Sequence, residues 1–196
     1  MLSNLSGSAP STAPRITILL ATYNRAHALG PTIESIRAQS FSDWEIVITD
    51  DGSTDNTPET VREWQKKEPR IRYVRSEVNQ GISKNYNQGF KIARGEYIAM
   101  IDDDDPWCDR EKLKKQLSFL GKNPEYVGCG GGVVVVDQTG KELYRYLKPE
   151  KTGRSVRACF LVTRWLIPQL FSRARWAIKS AGTMRPPVIP ATVIFG

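Results

Sequence analysis

The chain has 196 residues, 40% hydrophobic and 25% charged, which suits a single folded domain with a real core and excludes an intrinsically disordered chain. Its formal net charge of +7 would ordinarily direct attention to nucleic acid or an anionic membrane, but that charge sits in one place. Residues 151–196 hold eight basic groups (Lys151, Arg154, Arg157, Arg164, Arg173, Arg175, Lys179, Arg185) and no acid, which leaves residues 1–150 with 20 basic and 21 acidic groups, net −1.

In chain order, residues 1–13 are rich in Ser, Pro and Ala and lack a basic stretch followed by an apolar run, so they read as a disordered leader and not a secretory signal. Residues 15–21 (RITILLA) form a short β-branched apolar run of the kind that makes a buried parallel strand. A helix follows, with Leu29, Ile33 and Ile36 at three- and four-residue spacing and Pro31 near its start. Residues 44–49 (WEIVIT) are a second strand, ending in Asp50-Asp51-Gly52-Ser53-Thr54-Asp55, and a helix with Val61 and Trp64 on one face runs to about Lys67. A third strand (71–74), a third helix (81–93) and a fourth strand (96–101, EYIAMI) lead into Asp102-Asp103-Asp104-Asp105. Asp109 can cap a helix to about Leu120, and residues 127–137 read as one glycine-containing strand. A turn at Gln138-Thr139-Gly140 then feeds an antiparallel addition over 141–147. Alternating strand and helix predict an α/β fold, a mostly parallel sheet flanked by helices with ligands held at the carboxyl ends of the strands.

Cys108, Cys129 and Cys159 are widely spaced without CxxC, which argues against zinc and a disulfide framework and makes a reduced, cytoplasmic setting the expectation. The apolar stretch 160–171 contains Arg164, Pro168 and Gln169 and is far short of the roughly 20 residues of a membrane helix, so no transmembrane span is expected, with peripheral membrane association left open.

Three polar clusters fall at predicted strand ends. Thr22, Tyr23, Asn24 and Arg25 offer a hydroxyl, an aromatic ring and amides suited to a nucleobase and ribose; taken alone they are explained better by a polar loop with Asn24 as helix cap. Asp50 and Asp51 can accept imide or ribose hydrogens, while Gly52 turns the chain and Thr54 or Asp55 caps the next helix. Their adjacency costs repulsion that a ligand would relieve. Four successive carboxylates, Asp102 to Asp105, invite a divalent cation, Mg²⁺ or Mn²⁺, held by one or two carboxylates and substrate phosphates; an acidic solvated loop is the competing reading. Strand alternation puts Asp102 and Asp104 on the same side. Asn79, Gly81 and Lys84 open the third helix, where amides favour anionic phosphate or simply cap the helix. His27 reads as a surface residue and Trp107 as packing.

Taken together, ATYNRAHAL, WEIVITDDGSTDNT, NQGISKNYNQG and ARGEYIAMIDDDD resemble, in order and spacing, the family 2 glycosyltransferases of GT-A fold, over about residues 14–145. The resemblance implies a Rossmann-like nucleotide-diphospho-sugar transferase fold, incomplete at its C-terminus, with a domain over 14–150 and an atypical basic tail over 151–196. It implies a nucleotide-diphosphate sugar donor, a saccharide or lipid-linked acceptor, and inversion at the anomeric carbon. Thr22 and Tyr23 would line the base and ribose pocket, with Asn24, Arg25, Asp50, Asn79, Gly81, Lys84 and Asp103 around it. Asp51 would bind the base, and Asp102 and Asp104 would be the DxD pair that holds the ribose and the metal-diphosphate.

The family supplies its general base from an acidic stretch in the C-terminal half, and this chain has no acid after Glu150, so the base is unassigned. The resemblance fades near Arg157 to Phe160, where the charge balance changes, which points to a reading-frame or exon-boundary shift, with a genuinely divergent tail as the alternative. Arg164 to Gln169 can be spelled so that the third-base frame reads Val-Ala-His-Ser-Thr, and Val193 to Gly196 so that it reads Asp-Leu-Trp, both family-like. The gene sequence across codons 150–196 tests this. The alternative functions are a catalytically incomplete nucleotide-sugar-binding remnant and, from another class, a nucleic-acid binder acting through the basic tail. A nucleic-acid partner is not expected, because the first 150 residues are neutral. The absence of GxGxxG after the first strand disfavours a dinucleotide oxidoreductase.

Overall fold

A computed structural model describes residues 13–124, 126, 128–137, 139–146 and 162–164. Strands β1 (Ile16–Thr22), β2 (Trp44–Asp50), β3 (Ile71–Arg75) and β4 (Tyr97–Asp102) alternate with helices α1 (Ala26–Arg37), α2 (Thr57–Lys67) and α3 (Ile82–Ile92). After β4 come α4 (Lys112–Lys122), β5 (Gly128–Cys129), β6 (Val133–Val136), β7 (Glu142–Tyr146) and β8 (Val162–Arg164). The main sheet has the order β3-β2-β1-β4-β8-β5. Its first four strands are parallel, and β8 runs antiparallel to both β4 and β5.

The side-chain period of two explains why this sheet is buried on both faces. Ile16, Ile18 and Leu20 of β1, with Ile46 and Ile48 of β2 and Ala99 and Ile101 of β4, point to the face covered by α1, α2 and α4. Leu19 and Ala21, with Val47 and Ile98, point the other way, to Tyr86 and Phe90 of α3. Helix α3 lies close to the sheet at Gly89, where a Cβ would come within 2.9 Å of the Thr49 side chain. At the N-terminal ends of the strands, buried Glu45 accepts hydrogen bonds from Thr17 Oγ1 (2.8 Å) and from the Arg94 guanidinium (2.6 and 2.8 Å), joining β1 and β2 to the end of α3. Burial pushes this carboxyl up, but the hydrogen bonds from Arg94 and Thr17 outweigh it and hold it below its ordinary range.

The strand predicted over 127–137 is broken in two. β5 joins the main sheet, whereas β6 pairs with β7 in a separate antiparallel ribbon. Gly130, Gly131 and Gly132 lie at the break, where no side chains exist to pack a continuous strand. The turn into β7 is as expected, with the Asp137 carboxylate accepting from the amides of Thr139 (2.8 Å) and Lys141 (3.0 Å). Of the basic segment 151–196, residues 162–164 form β8 inside the main sheet, and the remainder lies outside the described residues, as do residues 1–12. Among the described residues no helix is long and apolar enough to cross a membrane.

Candidate functional site

The chain builds β1, β2 and β3 outward in one direction, then returns to place β4 on the other side of β1. The loops after β1 and β4 therefore diverge, leaving a crevice at the carboxyl ends of the central strands. The crevice has a volume of about 540 Å³ and is lined by Thr22, Tyr23, Arg25, Asp51, Asn79, Gly81, Asp102, Asp103 and Asp104, together with Ala21, Ile82 and Asn85.

Each wall has a local cause. Thr22 ends β1 and donates its hydroxyl to Asp103 Oδ2 (2.7 Å), while Thr32 Oγ1 of α1 donates to the Asp103 carbonyl (2.8 Å). Asp103 is thereby held inward at 6% exposure, and Asp102 and Asp104 on either side of it are exposed to the crevice. Burial raises the Asp103 carboxyl above its ordinary range, opposed by the Thr22 hydroxyl and the charge of Arg25. Arg25 pairs with Asp104 and lies 3.7 Å from Asp103. Asp102 accepts a hydrogen bond at Oδ1 from the buried Tyr86 hydroxyl of α3 (2.8 Å). Burial and the neighbouring Asp102 carboxylate push that phenol above its ordinary value.

The adjacent carboxylates of Asp50 and Asp51 are separated by strand alternation and satisfied within the protein. Asp50 turns to the Tyr73 hydroxyl (2.5 Å), the Ser53 amide (2.8 Å) and Arg75 (3.5 Å). Asp51 accepts from the amides of Gln80 and Gly81, both at 2.8 Å, which fixes the start of α3 against the end of β2. Their mutual repulsion thus needs no ligand to relieve it. Asp50 lies away from the crevice, whereas Asp51 is on its wall.

Two further residues from the sequence set also lie off the wall. Asn24, at φ +52°, uses its side chain to accept from the Thr54 amide (2.7 Å), and its own amide donates to Ser53 Oγ (2.9 Å), so it ties the first loop to the second. Lys84 is exposed on α3. Asp55 caps both neighbouring helices, accepting from Thr57 N of α2 (2.9 Å) and Ala26 N of α1 (3.1 Å). Conversely, Asn85 and Ile82 belong to the wall although no sequence signal singled them out. The helical spacing of Ile82, Asn85, Tyr86 and Gly89 is the pattern that places them on the inner side of α3.

Asp102 and Asp104 present a pair of hard carboxylate donors to an open crevice, and Asp104 already attracts a cation in the guanidinium of Arg25. Among the described residues no cluster of three or more His, Cys, Asp or Glu is arranged to hold a metal ion. Two carboxylates that leave further positions to substrate oxygens fit Mg²⁺ or Mn²⁺ at a phosphate site, and do not fit a self-contained structural metal.

The sequence pattern described as glycosyl transferase family 2 matches residues 17–177. The chain belongs to this family. Relatives include the putative glycosyltransferase EpsE of Bacillus subtilis (strain 168), 33% identical over 131 residues, which cover 66% of this chain and 47% of that protein. The putative teichuronic acid biosynthesis glycosyltransferase TuaG of the same organism is 36% identical over 107 residues, 55% of this chain and 42% of that one. The chain thus spans less than half the length of either relative. Among solved structures, the mannosyltransferase PcManGT from Pyrobaculum calidifontis, in complex with GDP-Man and Mn²⁺, superposes with a TM-score of 0.57 at 27% identity, covering 61% of this chain and 36% of that chain. S. aureus TarS 1–349 in complex with UDP-GlcNAc gives a TM-score of 0.55 at 27% identity, covering 60% and 34%. The α/β architecture, with its parallel central sheet flanked by helices, is that of these GT-A glycosyltransferases.

Proposed function

We propose that the crevice binds a nucleotide-diphosphate sugar and that the protein transfers its sugar, with inversion, to a hydroxyl of a saccharide or lipid-linked acceptor. The observation that carries this reading is the convergence of Thr22, Asp51 and the Asp102–Asp104 run on one crevice at the ends of three parallel strands, in a family 2 chain. Tyr23 and Ile82 give the crevice exposed apolar area for a base, and the Asp51 carboxylate on the same wall would accept from its edge or from the ribose. Asp102, oriented by Tyr86, takes the ribose side, and Asp104 with Asp102 would hold Mg²⁺ or Mn²⁺ against the diphosphate.

In the transfer the bond from the anomeric carbon to the phosphate oxygen breaks as the acceptor oxygen attacks from the opposite face and gives up its proton to a base. A divalent cation supplies Lewis-acid stabilisation of the charge left on the departing diphosphate. With a cation on Asp104, the Arg25 guanidinium, which competes for the same carboxylate, would be freed to pair with the phosphates. No carboxylate base comes from residues 151–196, which contain no Asp or Glu. That composition supports a second reading, donor binding without turnover.

Titration of UDP-glucose and GDP-mannose in the presence of Mn²⁺, followed by measurement of the nucleotide released when saccharide acceptors are added, separates the two. Binding with nucleotide release is the expected outcome of transfer. Binding without release supports the second reading, and the absence of binding to either sugar nucleotide contradicts both.

A further inference from the structure

Three carboxylates at the end of β4 are engaged in three different ways. Asp103 is turned inward to the Thr22 hydroxyl, and Asp102 accepts from the Tyr86 hydroxyl. Asp104 accepts from no hydroxyl or amide among the described residues, and its one partner there is the guanidinium of Arg25. That guanidinium also lies 3.7 Å from Asp103 Oδ1, so a single positive charge answers a run of negative ones. Asp104, through its hydrogen bond and its charge, and then the charge of Asp103, hold Arg25 above its ordinary value.

The backbone that carries Arg25 is fixed on both sides. Asn24 before it, at φ +52°, accepts from the Thr54 amide (2.7 Å), and the Arg25 carbonyl accepts from Ala28 N (3.0 Å) at the start of α1. The side chain is not fixed in this way. It is 48% exposed, and among the described residues its only ion pairs are those with Asp103 and Asp104. It can therefore exchange partners without disturbing the loop, and its planar fork of donors suits a carboxylate or a phosphate.

A divalent cation at Asp102 and Asp104 would be a rival to the guanidinium for one carboxylate. With no diphosphate in the crevice, a displaced guanidinium ends in water and its ion pair is lost. With a diphosphate present it ends on phosphate oxygens, in the same crevice that Arg25 already lines. Displacement is then offset, and the cation gains more from the site, over and above any direct contact between cation and phosphate.

We propose that Arg25 is an internal counter-ion that holds Asp104 against a free divalent cation and releases it when a diphosphate enters, so that cation and nucleotide strengthen each other's binding through this residue. The inference deepens the donor-site reading and rests on it. Such coupling is reciprocal: the factor that nucleotide adds to the cation's affinity is the factor that the cation adds to the nucleotide's.

The test titrates the full chain and its Arg25→Gln variant with Mn²⁺, read by the electron paramagnetic resonance of the free ion. Each is titrated without nucleotide and with UDP or GDP, with the complex of Mn²⁺ and nucleotide in solution accounted for. In Arg25→Gln, Mn²⁺ alone is expected to bind about two- to fivefold more tightly than in wild type, the worth of one exposed ion pair. The factor by which nucleotide tightens Mn²⁺ should fall by about the same amount. Where Mn²⁺ alone binds too weakly to resolve, nucleotide titrations with Mn²⁺ and with chelator give the same factor by reciprocity. A fixed field from Arg25, with no exchange of partners, predicts instead that the variant tightens Mn²⁺ equally with and without nucleotide, and that result overturns the proposal. So does Mn²⁺ affinity in the variant no higher than in wild type. Arg25→Met, which keeps an apolar stem, repeats the measurement, and thermal melting shows that each variant is folded. If neither UDP nor GDP binds wild type in the presence of Mn²⁺, the donor reading and this proposal fail together. If nucleotide binds with the same coupling in wild type and variant, this proposal alone fails.

Discussion

At the scale of single residues, the site depends on which oxygen of each carboxylate is already engaged. The Tyr86 hydroxyl occupies Oδ1 of Asp102, so Tyr86 orients a residue of the crevice wall without lining the crevice itself. Tyr86→Phe is expected to weaken donor binding about three- to tenfold, the worth of one hydrogen bond. The melting temperature should fall by no more than about 2–4 °C; paired donor titrations and thermal melts check this, and a variant with wild-type donor affinity contradicts it. The roles of Asp50 and Asp51 show where sequence stops informing at this scale. Both carboxylates were legible as a strand-end cluster, but their partners lie elsewhere in the chain, Tyr73 and Arg75 for one and Gln80 and Gly81 for the other. Only the fold reveals that one braces the sheet and the other stands on the crevice wall. Asn24 illustrates the same limit, since its cross-link to Thr54 depends on the meeting of two loops that neither loop encodes alone.

At the scale of elements, the β2–α2 loop and the β3–α3 loop are locked together at Gly52. This residue has φ +78°, and a Cβ there would lie 2.7 Å from the Val78 carbonyl carbon. Gly52→Ala is expected to cost about 1–3 kcal/mol from backbone strain alone. Displacement of residues 78–81 should also weaken donor binding more than tenfold. Urea unfolding and donor titration measure the two effects, and donor affinity within twofold of wild type argues that the loops are independent. At the opposite end of the sheet Glu45 ties β1 and β2 to Arg94. Its folded carboxyl titrates below its ordinary 4.5, so the folded state binds fewer protons than the unfolded state in that window. Its stabilisation is therefore present above about pH 4.5 and is lost as pH falls through the lower folded value. Glu45→Gln should lose about 1–2 kcal/mol at pH 7, kept modest by the half-exposed Arg94. It should also show a flatter acid limb in melting temperature between pH 3 and 5, and an acid limb as steep as wild type contradicts the assignment. The alternating strands and helices were legible from apolar periodicity up to α4. The run over 127–137 was not, because periodicity records which residues can be strand and is blind to a change of sheet at three glycines.

At the scale of the molecule, the architecture follows from chain order. Four β-rich runs separated by three amphipathic helices specify the parallel β3-β2-β1-β4 half of the sheet, and its reversal at β1 creates the crevice. The antiparallel insertion of β8 between β4 and β5 was not legible, because its three residues are too few to carry a periodic signal. We propose that this crevice takes a nucleotide diphosphate through a cation held by Asp102 and Asp104. Isothermal titration of UDP and GDP into wild type and Asp104→Asn, each with Mn²⁺ and with chelator, tests it most directly. Saturable binding that requires Mn²⁺ and falls at least about tenfold in Asp104→Asn is the predicted result. Binding that is indifferent to both the chelator and the substitution would contradict the account.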